Sequence, residues 1–275
     1  MVHADLPSQG DITTYSGLRF LARKQKGTGL PAPYLKRVWL DEERVANPAA
    51  YPFCLPILRP PFELEFSHPI TILVGENGTG KSTLLEGIAV LVGYDEAGGG
   101  KGYMPVDHSR AVEQNGGALA TAFRASWLPK VTNGWFFRAE SFFSVARYLD
   151  QAALDAGAAP PDFLSHSHGE GFLHFFEQRC QRQGIYIFDE PESALSPTRQ
   201  LEFLKLLRRM ELSRCCQVIM ATHSPLLMAY PQATLLQLTR GGLLPVAVEQ
   251  TEHYAIMRAF CDAPSRYVET VIADE

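Results

Sequence analysis

The order of hydrophobic and polar positions divides the chain into a strand-rich first part and a second part of alternating strands and helices. Residues 18–22 and 62–66 alternate or nearly so, which is typical of half-buried strands. Seven prolines lie between these two runs and oppose long regular structure there. We therefore predict an antiparallel β layer over residues 12–69, packed beside a core at residues 70–268, within a single domain spanning residues 1–275.

Short apolar runs in the second part are typical of central strands in a parallel sheet. They occur at residues 70–74, 135–137, 185–188 and 217–221. Leucines at helical spacing between the last two runs, with Ser196 as a candidate N-cap, predict a crossover helix. Gly241 lies between two further apolar runs, 234–238 and 244–248, which indicates a hairpin. The pattern predicts an α/β fold with a mixed, mostly parallel central sheet and flanking helices.

A glycine-rich segment directly follows the apolar run 70–74 and leads into a helical pattern. Its residues are Gly75, Glu76, Asn77, Gly78, Thr79, Gly80, Lys81, Ser82 and Thr83. Strand, glycine loop and helix in this order are what a phosphate-binding P-loop requires, because backbone N–H groups and the positive end of the helix then face the phosphate. Lys81 supplies a cation, and Ser82 offers a hydroxyl to magnesium. A chance Lys-Ser pair after a glycine-rich turn is the alternative, and the flanking pattern argues against it. The sequence thus predicts binding of a nucleoside triphosphate.

Two carboxylates, Asp189 and Glu190, follow the apolar run 185–188. Ligands of open parallel sheets bind outside the carboxyl ends of the strands. An aspartate there can hold magnesium through water, and the adjacent glutamate can orient or deprotonate the attacking water. His223 closes the neighbouring run, where its imidazole can reach a γ-phosphate. The structural alternatives are a strand that simply ends in polar residues and a histidine without a catalytic role.

Ser167 and Gly169 precede a helical pattern just upstream of the acidic strand. Ser167 and Glu170 have the spacing of a capping box, so an ordinary helix start is one interpretation. A serine, a glycine and a helix N-terminus also form an anion site. The position of this segment next to the acidic strand favours the second interpretation.

The cysteine content indicates a cellular compartment, and the distribution of charge indicates a kind of partner. The five cysteines show no paired-ligand spacing, which fits reduced thiols in a cytoplasmic protein. No apolar stretch approaches the roughly 20 residues of a transmembrane helix, and the N-terminus lacks a signal-peptide pattern. The net charge is −5, yet no acidic residue lies between Asp11 and Asp41. That interval holds six basic residues: Arg19, Arg23, Lys24, Lys26, Lys36 and Arg37. They form a candidate surface for a phosphate backbone or an acidic partner, and a merely solvated cluster is the alternative.

The order of these motifs resembles that of the ATP-binding-cassette ATPases, and more narrowly the small stand-alone predicted ATPases with a Ser-His-Gly-Glu signature. The likeness runs from about residue 18 to residue 268. It implies that residues 75–83 are a Walker A loop and that Asp189 with Glu190 is a Walker B pair, with Glu190 as catalytic base. It further implies ATP and Mg²⁺ as cofactors, hydrolysis to ADP and phosphate, and a switch role for His223 at the γ-phosphate.

The resemblance also implies an ATP-dependent homodimer. Ser167 and Gly169 of one protomer would face the γ-phosphate bound by the other, and residues 193–196 would form the D-loop. The sequence departs from the family at His168 and Glu170, which replace the first glycine and the glutamine of the signature, and at Ser196, where aspartate is usual.

Two family positions stay open. The Q-loop glutamine has no clear counterpart, so we take Glu140, just beyond the run 135–137, as its stand-in and third metal contact; Gln114 is the alternative. The aromatic residue that stacks on adenine should come from the N-terminal layer. Four residues are candidates: Tyr34, Trp39, Tyr51 and Phe53.

The process driven by hydrolysis has two competing interpretations. One is a soluble ATPase switch in DNA repair, nucleic-acid surveillance or defence, with a nucleic-acid or protein partner. The other is the nucleotide-binding subunit of a membrane transporter, which needs a helical surface for docking membrane loops. The segment between Glu140 and His166 offers no clear surface of that kind, and the basic interval favours the first interpretation.

Overall fold

The computed structural model describes residues 28–101, 116–139, 154, 157 and 168–273. Its strands are β1 (Leu35–Leu40), β2 (Glu63–Glu65), β3 (Ile70–Val74), β4 (Phe123–Trp127), β5 (Gly134–Arg138), β6 (Gly184–Asp189), β7 (Cys216–Ala221), β8 (Thr234–Thr239) and β9 (Gly242–Pro245). Its α-helices are α1 (Lys81–Val92), α2 (Gly116–Ala122), α3 (His168–Arg179), α4 (Pro197–Ser213), α5 (Pro225–Met228), α6 (Glu252–Asp262) and α7 (Pro264–Ala273). None of the described helices is long and apolar enough to cross a membrane.

The central sheet has six strands in the order β5-β6-β7-β3-β8-β9. All neighbouring pairs are parallel except β8 with β9, so the prediction of a mixed, mostly parallel sheet is confirmed. Strand β3 lies between β7 and β8. The loop after β3 therefore opens at the same edge of the sheet as the carboxyl ends of β6 and β7.

Helices cover both faces of this sheet, because alternate residues of each strand point to opposite sides. In β6, Tyr186 and Phe188 belong to the core beneath α3 and α4, while Ile185 and Ile187 belong to the core beneath α1 and α2. The first core is rich in aromatic rings, such as Phe176 against Phe188 at a centroid distance of 5.1 Å. Two-sided burial explains why these strands appear in the sequence as continuous apolar runs.

A second, antiparallel sheet of order β2-β1-β4 packs against the α1 side. The predicted N-terminal layer thus exists, but one strand of it, β4, follows α1 in the chain and lies outside the predicted interval 12–69. Strand β1 has hydrogen-bonding groups on both edges, so β2 can satisfy only one of them and β4 pairs with the other. The predicted strand at residues 18–22 lies outside the described residues.

The side chain of Gln217 in β7 joins the two sheets. Its Oε1 accepts hydrogen bonds from the backbone N–H groups of Tyr34 (2.8 Å) and Leu35 (2.9 Å). Its Nε2 donates to the carbonyl of Leu35 at 2.9 Å. Because Gln217 is only 1% exposed, these bonds are shielded from water and fix the start of β1 against the central sheet.

The later helix and hairpin test the sequence patterns further. Helix α4 begins with Pro197, and the Ser196 hydroxyl accepts a hydrogen bond from the Arg199 N–H at 3.4 Å, as predicted for an N-cap. The second hairpin arm is β9, Gly242–Pro245, and not residues 244–248. Thr239 pairs directly with Gly242, so the tight turn shifts the arm towards the N-terminus. The two C-terminal helices, α6 and α7, were not predicted.

Candidate nucleotide-binding site

The glycine loop between β3 and α1 encloses the ammonium group of Lys81. The Lys81 Nζ donates to the carbonyls of Gly75 at 2.8 Å and Glu76 at 3.1 Å, and the residue is 4% exposed. Helix α1 begins directly after Gly80, whose φ of +95° lies in the left-handed region. This left-handed backbone favours glycine, because other residues rarely adopt it. The result is a closed loop with a cation at its centre and a helix N-terminus behind it.

The structure brings Ser82 and Asp189 together across 107 residues of sequence. The Ser82 hydroxyl donates to Asp189 Oδ1 at 3.1 Å, where α1 starts and β6 ends. A hydroxyl oxygen and a carboxylate oxygen at this separation are ligands of the kind that coordinate Mg²⁺ together with nucleotide phosphates. These residues therefore fit a magnesium ion. Glu140, the third predicted metal contact, and Gln114 lie outside the described residues.

Glu190 and His223 face each other just beyond β6 and β7. Glu190 has φ 47° and ψ 56°, a left-handed conformation that is uncommon for a residue with a side chain. Its N–H donates to the Ala221 carbonyl at 3.0 Å, which anchors this turn to β7. Glu190 Oε1 lies 3.5 Å from His223 Nε2. Backbone strain of this kind is concentrated at functional sites.

A second glutamate, Glu192, holds the loop that carries His223, and it was not singled out from the sequence. Its Oε1 accepts a hydrogen bond from the His223 N–H at 2.5 Å. Burial raises the pKa of Glu192, and the hydrogen bond from His223 partly opposes that rise. Glu192, two residues after Glu190, thus fixes the backbone of His223.

A buried cation, Arg138, contacts Asp189 and was also missed. Arg138 Nη1 donates to Glu86 Oε1 at 2.6 Å, and Arg138 Nε lies 3.6 Å from Asp189 Oδ2. Ser82 and Glu86 are four residues apart on α1 and so share one face of the helix. The contacts close a ring from Ser82 through Asp189 and Arg138 to Glu86 that joins α1, β5 and β6. Its only sequence signal was the polar residue that ends the apolar run 135–137.

The charged groups of the site shift the pKa values of Lys81 and His223. Burial lowers the pKa of Lys81, and the carboxylates of Glu190 and Asp189 oppose that change. Burial and the Lys81 ammonium lower the pKa of His223, which favours its neutral form near neutral pH. A phosphate chain entering this site meets Lys81 together with several carboxylates. A divalent cation that accompanies the phosphates would offset this repulsion.

The four aromatic candidates for adenine stacking occupy different places. Tyr34 is fully buried. Phe53 packs against the core on the α1 side. Trp39 lines an open cleft with Leu91, near the far end of α1 and about 15 Å along the helix from Lys81. Tyr51 is 47% exposed, and its hydroxyl lies 2.6 Å from Thr83 Oγ1 in the first turn of α1.

The signature segment is described only in part. Helix α3 begins at His168 and includes Gly169 in its first turn. Ser167 lies outside the described residues. The predicted contact of Ser167 and Gly169 with a nucleotide on a second protomer therefore stays a prediction.

Two family models match the chain, and each covers one half of the site. Residues 57–119, which contain the glycine loop, match a family described as "AAA domain". Residues 158–229, which contain Asp189, Glu190 and His223, match a family described as "AAA domain, putative AbiEii toxin, Type IV TA system". The comparison with curated proteins gives no match.

Solved structures that resemble the chain have low sequence identity and low TM-scores. A structure described as "An inward-facing conformation of a putative metal-chelate type ABC transporter" is 16% identical, with a TM-score of 0.45, and the alignment covers 82% of this chain and 88% of that one. CbiO1 from Clostridium perfringens, part of the ABC transporter complex cbiONQ, is 17% identical, with a TM-score of 0.39 and coverages of 76% and 90%. The SMC head domain from Thermotoga maritima is 16% identical, with a TM-score of 0.43 and coverages of 78% and 99%.

The family matches and the site geometry agree with each other. One match spans the loop that encloses Lys81, and the other spans the strand ends that carry Asp189, Glu190 and His223. Both matched families are described as AAA domains, so the two segments that carry the candidate site are each similar to an AAA-type domain.

Proposed function

We propose that the protein is a soluble, ATP-driven dimer switch that hydrolyses ATP to ADP and phosphate. The observation that carries this proposal is the convergence of three sequence-distant groups at one edge of the sheet. Lys81 lies within the glycine loop, Ser82 meets Asp189 at 3.1 Å, and Glu190 meets His223 at 3.5 Å. A cation, a pair of metal donors and a base beside an imidazole are the groups that phosphoryl transfer to water requires.

Each group has a separate task in this scheme. Loop N–H groups and Lys81 bind the phosphate oxygens, and the Lys81 ammonium exchanges its carbonyl partners for them. Glu190 accepts the proton of the attacking water, and its left-handed turn holds the carboxylate at the end of β6. His223 donates to the γ-phosphate from its Nε2.

Magnesium would be held by Ser82 and Asp189 together with the phosphates. When bound, it would offset part of the negative charge of the phosphates. Arg138 holds the second oxygen of Asp189, Oδ2, at 3.6 Å, which leaves Oδ1 directed towards Ser82. The protein's own contribution is therefore a pre-oriented carboxylate.

Adenine stacking is assigned to Tyr51 among the four aromatic candidates. Its hydroxyl contacts Thr83, and nearly half of its surface is exposed. Tyr34 is buried and Trp39 lies near the other end of α1, so neither faces the nucleotide. Tyr51→Leu should weaken ATP binding more than Trp39→Leu does.

The dimer is tested with a variant that binds ATP without hydrolysing it. We expect Glu190→Gln with ATP and magnesium to sediment as a dimer and the nucleotide-free protein to sediment as a monomer or a looser pair. Adding Ser167→Arg should block the dimer, because a bulky side chain would occupy the place where the phosphate docks. Leu212→Arg, at an exposed position of α4, is the matched control and should leave the dimer intact. If the Glu190→Gln, Ser167→Arg protein still dimerises with ATP, the signature is only a helix cap.

For the process that the switch drives, we propose nucleic-acid surveillance, repair or defence. The basic interval between Asp11 and Asp41 supports a phosphate-backbone partner, although residues 19–26 lie outside the described part of the chain. Within the described part, Arg37 pairs with Glu63 at 3.2 Å and stacks on Trp39, so its charge is already engaged. The description of the family matched by residues 158–229 names a toxin, which fits a role in defence.

Fluorescence anisotropy with DNA and RNA tests this partner. Binding should weaken steeply with salt and should be lost on charge reversal at Arg23, Lys24 and Lys26. The control makes the same change of charge at three exposed basic residues of α4: Lys205, Arg208 and Arg209. No binding at low salt, or binding indifferent to the N-terminal reversal, would favour a protein partner or a transporter subunit.

A further inference from the structure

Helix α6 places a second histidine, His253, beside His223. The two rings meet through His223 Nδ1 and His253 Nε2 at 2.9 Å. Thr251 caps α6 by accepting a hydrogen bond from the Tyr254 N–H at 3.3 Å, so the backbone of His253 is fixed in the first turn. His253 is 17% exposed and thus largely packed against the site. It belongs to none of the motifs considered so far.

A hydrogen bond between two neutral imidazoles has two possible directions. One nitrogen must carry the proton and the other must accept it. If His253 Nε2 donates, His223 accepts at Nδ1 and carries its own proton at Nε2. If His223 Nδ1 donates, its Nε2 holds only a lone pair and cannot donate to a phosphate. The direction of this bond therefore decides whether His223 can serve the γ-phosphate.

Two carboxylates near the pair favour the first direction. Glu190 Oε1 lies 3.5 Å from His223 Nε2, and Glu76 Oε1 lies 4.0 Å from His253 Nε2. A carboxylate favours a proton on the nitrogen that faces it. Each carboxylate thus favours a proton on Nε2 of the histidine that it faces. The His253 Nε2–H then donates to His223 Nδ1, and Glu76, at 4.0 Å, acts on it through its charge and not through a hydrogen bond.

The other charge near the pair is consistent with a neutral His223. Burial and the Lys81 ammonium lower the pKa of His223, and the carboxylates of Glu190 and Glu76 only partly oppose that change. A neutral His223 carries one proton, and the partner at Nδ1 then determines where that proton is.

We infer that His253 is a positioning residue that sets the tautomer of His223, so that the Nε2–H of His223 faces the γ-phosphate. This inference rests on the proposed ATPase function and deepens it. It connects the C-terminal helix α6 to the chemistry, since any movement of α6 away from the site would release His223 from the tautomer that hydrolysis needs. ATP binding, which relies on the glycine loop and Lys81, does not require His253.

Three substitutions at His253 separate hydrogen-bond donation from packing. His253→Gln keeps an N–H donor near the position of Nε2, His253→Glu offers only an acceptor when ionised, and His253→Leu offers neither. We expect kcat to stay within about threefold in the Gln variant and to fall by about tenfold or more in the Glu and Leu variants. Nucleotide affinity should be unchanged in the Gln and Leu variants, which add no charge. His68→Glu, at an exposed histidine that contacts Ser67 and Thr234, is the matched control and should hydrolyse ATP normally.

Nitrogen-15 NMR of histidine-labelled protein gives a readout that does not depend on activity, because ring nitrogens with and without a proton have different chemical shifts. We expect the Nε2–H tautomer at His223 in the parent protein and its loss in His253→Glu. The inference is overturned if His223 keeps the same tautomer in both, or if the Gln and Leu variants lose kcat equally. If the parent protein fails to hydrolyse ATP, the proposed function falls with it; if the parent is active and all His253 variants match it, only this inference fails.

Discussion

Replacing Arg138 with methionine removes the cation that joins Glu86 to Asp189. The Arg138 and Glu86 side chains are 10% and 8% exposed, and their closest atoms are 2.6 Å apart. Methionine keeps much of the volume of the stem but leaves a carboxylate without this partner in a site shielded from water. Loss of one partner of a buried pair costs about 3–5 kcal/mol of unfolding free energy. We expect the loss to approach that range above pH 7, where Glu86 is ionised in the parent protein.

The loss should depend on pH in a way set by Glu86. Burial raises the pKa of Glu86 from about 4.5 to about 7, even though Arg138 lowers it. Since the folded pKa is above the unfolded one, the folded state binds more protons, and stability from this group falls as pH rises through that window. Removing Arg138 raises the folded pKa further and extends the window above pH 7. There the difference between the parent and Arg138→Met should grow by up to about 1.4 kcal/mol per pH unit.

Urea denaturation at several pH values between 6 and 9 measures both effects. Arg37→Met is the matched control, because Arg37 pairs with Glu63 at 3.2 Å with side chains 42% and 43% exposed. An exposed pair contributes less than about 1 kcal/mol, and its loss should not depend on pH in this range. Equal losses in the two variants, or a loss in Arg138→Met that is constant up to pH 9, would refute the role of the buried ring.

Further variants test the loop, the strand packing and the sheet junction. Lys81→Ala should weaken ATP affinity by about 10- to 100-fold in a protein that remains folded; calorimetry showing equal affinity would contradict the P-loop interpretation. Gly134→Ala should lower the unfolding free energy by about 3 kcal/mol or more, since its Cβ would lie 1.8 Å from the Ile185 carbonyl oxygen and φ is +131°. The control Gly241→Ala should be nearly neutral in urea denaturation. Gln217→Leu should lower the unfolding free energy by about 3 kcal/mol or more, because three buried backbone groups lose their partners; a loss below about 1 kcal/mol would show that the small sheet is held in other ways.

The local patterns of the sequence predicted much of the central sheet and the loop after β3. Apolar runs correspond to β3, β5, β6 and β7 because these strands are buried on both faces. The glycine loop was recognisable because all of its residues lie within nine consecutive positions of the sequence. Strand order was not predictable, since periodicity reports which side of an element is buried and not which element covers it.

Contacts between distant residues account for what the sequence did not reveal. Arg138 meets Glu86 across 52 positions, and His253 meets His223 across 30. Neither pair follows a spacing rule, because the fold and not the chain brings the partners together. Strand β4 was missed for a related reason: its five residues, only the first of them buried, show no clear alternation. The aromatic choice among Tyr34, Trp39, Tyr51 and Phe53 likewise depended on where each lies relative to α1.

Single-turnover hydrolysis of ATP by the parent protein and by Glu190→Gln, with magnesium and with nucleotide affinity measured alongside, tests the central claim most directly. The substitution keeps the shape of the side chain and removes the base. We predict that the parent converts bound ATP to ADP and phosphate. Glu190→Gln should bind ATP equally well, but its rate of hydrolysis should be lower by a factor of about 100 or more. Parent-like turnover in Glu190→Gln would remove Glu190 from the mechanism, and a parent protein that binds no ATP would contradict the account as a whole.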